Sequence, residues 1–285
     1  MKILVTGAGG TIGSKLLPKL QEAGHETVAV VRDRSKYQGE AVEADLLDPE
    51  SLQALPEDCE AAFYLVHSMS GTKDFEALER RCAENFARWA RGTKIGQILY
   101  LGGLVNSAKL SPHLRSRLAV ETILKESGIP YTVFRAGIIL GKGSASMQII
   151  HDLVFRLPVM VAPKWVKNRC QPIAISDVLY YLVQAVGNRA CLNRKFDIGG
   201  PDKLNYKEMM ERYAKAHGLT RLILVVPVLT PRLSSYWLFF VTRTNFSLAS
   251  SLVESLKSEA ICSEQEVESL LPHRCLGYEE ALKSA

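Results

Sequence analysis

Along the first half of the chain, short apolar runs alternate with longer stretches of mixed polarity. The runs KILVTG, ETVAVVR, EAVEADL, AAFYLVH, QILYLGG and YTVFRAGIIL are rich in β-branched and aromatic side chains. Runs of this kind suit strands buried on both faces of a sheet. Between them, TIGSKLLPKLQEAG and FEALERRCAENFARWARG repeat their apolar residues at helical spacing. Strand–helix alternation predicts right-handed βαβ units and hence an α/β fold with a doubly wound parallel sheet. Gly24 and Gly92 fall just past the two helices, where C-terminal caps belong.

Beyond about residue 142 the rhythm loosens. GSASMQIIHDLVFRL, SDVLYYLVQAVG and YKEMMERYAKAHG are expected to be helical, and RKFDIGG to be one more strand ending at a turn. Two parts are expected: residues 1–142 form the core, completed by later segments, and residues 143–285 form a smaller lobe on the substrate side that does not fold independently. The stretch LILVVPVLTPRLSSYWLFFVT (222–242) is too broken by Pro227, Pro231 and Arg232 to span a membrane. It is expected to hold a buried strand followed by a core helix, with peripheral membrane or quinone contact through Trp237, Phe239 and Phe240 as the alternative.

Composition narrows the class only slightly. A net charge of +5 spread along the chain, with no basic stripe, argues against nucleic-acid binding. The cysteines form no C-x-x-C pair and no metal-like spacing, which implies thiols in a reducing compartment and no metal site. With KILVTG beginning directly after Met1 and no leader pattern before it, a cytoplasmic location is expected.

The sharpest chemical signal is VTGAGGTIG. Gly7, Gly10 and Gly13 stand directly between the first strand and the first helix, with Thr11 and Ile12 completing the turn. Glycine there permits a tight turn and lets backbone N–H groups approach a pyrophosphate at a helix N-terminus. The cofactor is then chosen at the end of the second strand. VVRDRSK offers Arg32, Arg34 and Lys36 against the single acid Asp33. Cations favour a 2′-phosphate, so NADP(H) is expected, with NAD(H) as the alternative. Asp45 and Leu46, after the third strand, are candidates for the adenine. His67 and Ser68, after the fourth, are candidates for the ribose or the substrate.

VTGAGGTIG, VVRD, ADLLD, YLVHSM, YLGGL, HLRSR, FRAGIILG and QPIAISDV together resemble the atypical, NmrA-like branch of the short-chain dehydrogenase/reductase family. The likeness covers nearly the whole chain. It is closest to bacterial epimerase/dehydratase-like NAD(P)-binding proteins, with the accessory subunit of respiratory complex I as a more distant relative. The resemblance implies a Rossmann-type sheet with an extra C-terminal lobe and a bound NAD(P). It does not carry over the usual catalytic residues. Gly102 and Gly103 stand where active members carry a serine, and the tyrosine and lysine align with His113 and Arg117.

SPHLRSR nevertheless has its own chemistry. Ser111 and Pro112 suit the cap and first position of a helix, which puts His113 in the first turn and Arg117 four residues on, on the same face. The helix dipole disfavours imidazolium there, and a neutral imidazole can polarise a carbonyl. Arg117 can hold the nicotinamide ribose or an anionic substrate, although a surface pair with Glu121 is the plainer alternative. Arg135 is weighed evenly between a ligand contact and a structural charge. Ser176–Asp177 is expected to cap the helix that follows. These residues suit hydride transfer to a small quinone or carbonyl acceptor. The competing functions are a non-catalytic NAD(P)H-binding sensor or assembly factor and, less favoured without an acid/base pair, an epimerase or dehydratase.

Overall fold

A computed structural model describes residues 1–67, 74–105, 110–226, 258–263 and 266–284. The first part of the chain runs β1 (Lys2–Thr6), α1 (Gly13–Glu22), β2 (Glu26–Val31), β3 (Val42–Glu43), β4 (Ala61–Tyr64), α2 (Phe75–Ala90), β5 (Gln97–Gly103), α3 (Pro112–Lys125) and β6 (Tyr131–Ala136). The second part continues through β7 (Ile139–Leu140), α4 (Ala145–Arg156), β8 (Val159–Pro163), β9 (Arg169–Cys170), β10 (Ile173–Ala174) and α5 (Ile175–Gln184). It then adds β11 (Arg194–Ile198), β12 (Leu204–Asn205), α6 (Tyr206–Ala216) and β13 (Leu222–Val226).

Seven strands make one sheet in the order β11-β6-β5-β4-β1-β2-β3, and every neighbouring pair is parallel. This is the Rossmann-like doubly wound sheet, with β11 from the later half completing it. Both faces are covered, which is why the strands are continuously apolar. Leu16, Leu17 and Leu20 of α1 and Val178 and Leu182 of α5 pack one face. Cys82, Ala83 and Phe86 of α2 and Val120 and Leu124 of α3 pack the other. Because the strands are parallel, the turn after β1 and the ends of β4 and β5 emerge on the same side, where ligands of open α/β sheets bind.

A separate apolar cluster joins Leu153 and Val154 of α4, Met160 and Ala162 of β8, Met209 and Tyr213 of α6 and Ile223 of β13. Here the tail departs from expectation. Among the described residues β13 pairs only with β8, and Leu222 and Leu224 are left 54% and 47% exposed. It is a half-exposed edge strand, not a buried one. The expected core helix and the aromatic residues Trp237, Phe239 and Phe240 lie outside the described residues. No helix among the described residues is long and apolar enough to cross a membrane.

Two local expectations also change. Gly24 takes a left-handed φ of +83°, as a C-terminal cap does, whereas Gly92 is not among the glycines with positive φ. Asp177 does not cap α5, whose N-cap is Ala174. It is buried, and its carboxylate accepts from His273 Nε2 and from the Leu276 N–H, both at 2.9 Å, pinning the C-terminal segment to the sheet domain.

Candidate functional site: a glycine turn and an arginine–histidine cluster

The glycine turn is shaped by backbone contacts. Gly7 has φ +69°, and a Cβ there would lie 2.6 Å from the Leu65 carbonyl oxygen. A Cβ on Gly13 would fall on the Gly7 carbonyl itself, while one on Gly10 would meet the same oxygen at 3.1 Å. That oxygen accepts the Gly10 N–H at 2.9 Å. So the first glycine lets β1 turn beside the end of β4, and the third lets α1 pack against the turn. The helix has Ile12 at its N-cap, with no side-chain cap and no acid in its first turn. An uncapped N-terminus behind a cradle with no room for side chains fits a pyrophosphate. Thr11 Oγ1 donates to the Gly143 carbonyl at 3.0 Å, closing the β7–α4 loop onto the turn.

At the end of β2, Asp33 is turned inward on its own loop. Its carboxylate accepts from the Ser35 N–H and hydroxyl at 3.0 and 2.6 Å and pairs with Lys36 at 2.6 Å. Lys36 first, and then Ser35, pull its pKa down to about 2. Arg34 donates to the Gly39 carbonyl, and Arg32 is exposed. Asp45 accepts from the Leu47 N–H at 3.0 Å. The Leu46 side chain is buried in the core, with its carbonyl held by Asn85.

The second half of the site is assembled from β4, β5 and α3. Ser111 accepts the Leu114 N–H at 3.3 Å and Pro112 is the first helical residue, so α3 starts where its sequence signals place it. This brings the Arg117 guanidinium onto His67, with Nη1 against Nε2. Guanidinium only donates, so His67 Nε2 accepts and its proton sits on Nδ1. His113 completes the group. Its pKa falls to about 4, through burial first and then the Arg117 charge. Burial first, and then Arg117 and His113, push that of His67 well below the ordinary imidazole value. Both imidazoles are therefore neutral near pH 7. For His113 burial, not the helix dipole, is the larger cause.

Arg117 does not pair with Glu121. Both oxygens of Glu121 go to Arg135, at 2.9 and 2.6 Å, in a pair whose side chains are each only 12% exposed. Arg135 thereby ties β6 to α3. The buried Glu79 of α2 accepts the Ser116 hydroxyl.

Tyr100 is the residue that the sequence motifs missed. Its hydroxyl donates to the Arg117 carbonyl at 3.3 Å, and its ring lies 6.2 Å from that of His67. A Cβ on Gly102 would meet that ring at 3.1 Å. Residues two apart share a strand face, so the Tyr100 ring crowds the position where a serine side chain would begin. The signal was the aromatic residue two before the glycine in YLGGL. Ser68 lies outside the described residues.

A doubly wound sheet, a glycine turn and an uncapped helix start define a dinucleotide-binding α/β protein. Residues 7–152 match the NAD(P)H-binding family, and the chain belongs to it. Over 244 residues it is 24% identical to the photosystem II assembly factor Ycf39 of Cyanophora paradoxa, covering 80% of this chain and 72% of that one. Over 152 residues it is 29% identical to the NmrA-like family domain-containing oxidoreductase flvB of Aspergillus flavus, covering 48% of each. The NmrA-like kinship expected from the motifs is present in that relative. In fold it is similar to the NADPH-dependent quinone oxidoreductase QOR2 of Escherichia coli, solved with NADPH, at a TM-score of 0.76 and 18% identity over 99% of this chain and 98% of that one. None of the three bears on the accessory subunit of complex I.

Proposed function

We propose that this protein is an NADPH-dependent reductase acting on a small quinone or carbonyl acceptor without the usual serine, tyrosine and lysine. The observation that carries the reading is the cluster of Arg117 with two neutral imidazoles, set at the strand ends beside the glycine turn. The bound nicotinamide would supply the hydride. The turn at Gly7, Gly10, Thr11, Ile12 and Gly13 would hold the pyrophosphate on backbone N–H groups. Arg32 would take the 2′-phosphate, since Asp33, the acid that would otherwise hold a 2′-hydroxyl, is spent on Ser35 and Lys36. Arg117 and the neutral imidazoles would orient the acceptor and stabilise the oxygen that gains charge on reduction. A quinone needs less help from a proton donor than an isolated ketone does, and no group here replaces the tyrosine as a ready acid.

The reading has a direct test. NADPH oxidation over a panel of quinones and carbonyls is expected to exceed about 1 s⁻¹ for at least one acceptor, within the ordinary range of enzymes. The second reading is a non-catalytic NADPH-binding sensor or assembly factor. It is favoured by the Tyr100 ring crowding the serine position and by the assembly-factor relative, and tight NADPH binding with no turnover would select it. The cysteines, all unpaired, fit a reducing compartment, and the cytoplasm is the location we adopt.

A further inference from the structure

The cluster on α3 is short of acceptors. Among the described residues, four side-chain nitrogens are buried without a hydrogen-bond partner, and two of them, Arg117 Nε and His67 Nδ1, belong to side chains in contact. Both are donors: guanidinium has no lone pair to offer, and Nδ1 must carry the His67 proton. A buried donor left unmet costs about 1–3 kcal/mol, so two on touching side chains need an explanation. Charge tells the same story. No carboxylate among the described residues lies within ion-pair distance of Arg117. Two acids that act on Tyr100 alongside Arg117 are engaged elsewhere, Glu121 by Arg135 and Glu79 by Ser116. The imidazoles beside it are neutral, so they do not offset the guanidinium charge.

We infer that the acceptor bound here carries a planar oxyanion, a carboxylate or the vinylogous carboxylate of a hydroxyquinone, held by the Arg117 guanidinium and the His67 Nδ1–H. A two-oxygen anion matches the fork of a guanidinium and accepts from both unmet donors. Glu121 stands one turn from Arg117 on α3 but gives both its oxygens to Arg135, so it does not meet either donor. The inference rests on reading the cluster as the acceptor side of a reductase.

Benzoate and its uncharged counterpart benzamide are the probes, titrated by calorimetry into the free protein and into the NADPH-saturated protein. Benzoate is expected to bind in both states, and benzamide at least about tenfold more weakly. Arg117→Met should cost benzoate at least about tenfold, with Arg117→Lys retaining part of the affinity and NADPH affinity shifting by less than about threefold. In the wild-type protein the ¹⁵N resonance of His67 Nδ1 should move on benzoate addition, a readout that needs no variant. Equal binding of benzoate and benzamide, an unmoved Nδ1 resonance, or full benzoate affinity in Arg117→Met each overturns the inference. Displacement of benzoate by NADPH would give the guanidinium to the cofactor and also overturn it. A wild-type protein that binds no NADPH refutes the reductase reading instead, and the benzoate titration of the free protein still decides the anion site.

Discussion

At the glycine turn, the contacts that shape the site are made by backbone: Gly7 against Leu65, Gly13 against Gly7, and the Gly10 N–H on the same carbonyl. At α3 the site is made of side chains from three elements, and it is left incomplete, with two buried donors unmet. The first region is finished before any ligand arrives, and its job is to leave room. The second is unfinished, and its unmet donors describe the ligand. Steric exclusion fixes where a dinucleotide can lie, and polar deficit says what can lie beside it.

If the two regions work by different physics, they should fail separately. Gly13→Ala puts a methyl group on the Gly7 carbonyl, and NADPH affinity should fall by about a hundredfold or more, read by nucleotide fluorescence titration. Benzoate binding to the free Gly13→Ala protein should survive. Loss of both together would show that the regions are one unit.

Next in size is the pair that keeps Glu121 away from Arg117. Arg135→Met breaks an ion pair that is largely buried, and should cost about 3 kcal/mol in denaturant unfolding. Glu121 is then free to reach Arg117, so benzoate affinity should fall although the variant touches neither donor. Unchanged benzoate binding would mean that Glu121 does not guard the cluster.

The pH dependence follows from His113. Its folded pKa of about 4 lies below the ordinary histidine value, so between the two the unfolded chain binds more protons than the folded one. The His113 contribution is therefore full above about pH 6.5, falls as pH drops below that, and levels off below about pH 4, by at most about 3 kcal/mol, and His67, also held neutral by burial, adds to the same acid loss. His113→Gln should shrink this acid limb in unfolding measurements, leaving the part that His67 contributes, and no variant at the glycine turn should do so.

The smallest effect separates cofactors. The wild-type protein should bind NADPH at least about tenfold tighter than NADH, and Arg32→Ala should bring the two affinities together, a change of about 1.4 kcal/mol. Equal affinities in the wild type would remove the 2′-phosphate role of Arg32 and leave the glycine turn untouched.

The sheet and the glycine turn were legible because each depends on local pattern. Apolar runs of strand length, helical spacing between them and three glycines at a strand–helix junction are all short-range signals. The start of α3 was legible for the same reason, through Ser111 and Pro112. What the pattern could not show was partner choice across elements. Glu121 lies four residues from Arg117, the spacing of a helical ion pair, yet pairs with Arg135 on the neighbouring strand. Asp177 stands at a helix start, yet its partners lie in the C-terminal segment, His273 and Leu276. His67 reads from the sequence only as a residue after the fourth strand, and the packing of α3 on β5 brings Arg117 onto it beside Tyr100. β13 is apolar enough to read as a buried strand, and with β8 as its one neighbour among the described residues it is half exposed.

The central claim is that the α3 cluster completes an NADPH-dependent reductase. Its most direct test is steady-state NADPH oxidation with a set of naphthoquinones, including a hydroxynaphthoquinone anion, by the wild-type protein and by Arg117→Met. The account predicts turnover above about 1 s⁻¹ for the wild type and a loss of about a hundredfold or more in the variant, with NADPH affinity nearly intact. Tight NADPH binding without turnover, or turnover that survives Arg117→Met, would contradict it.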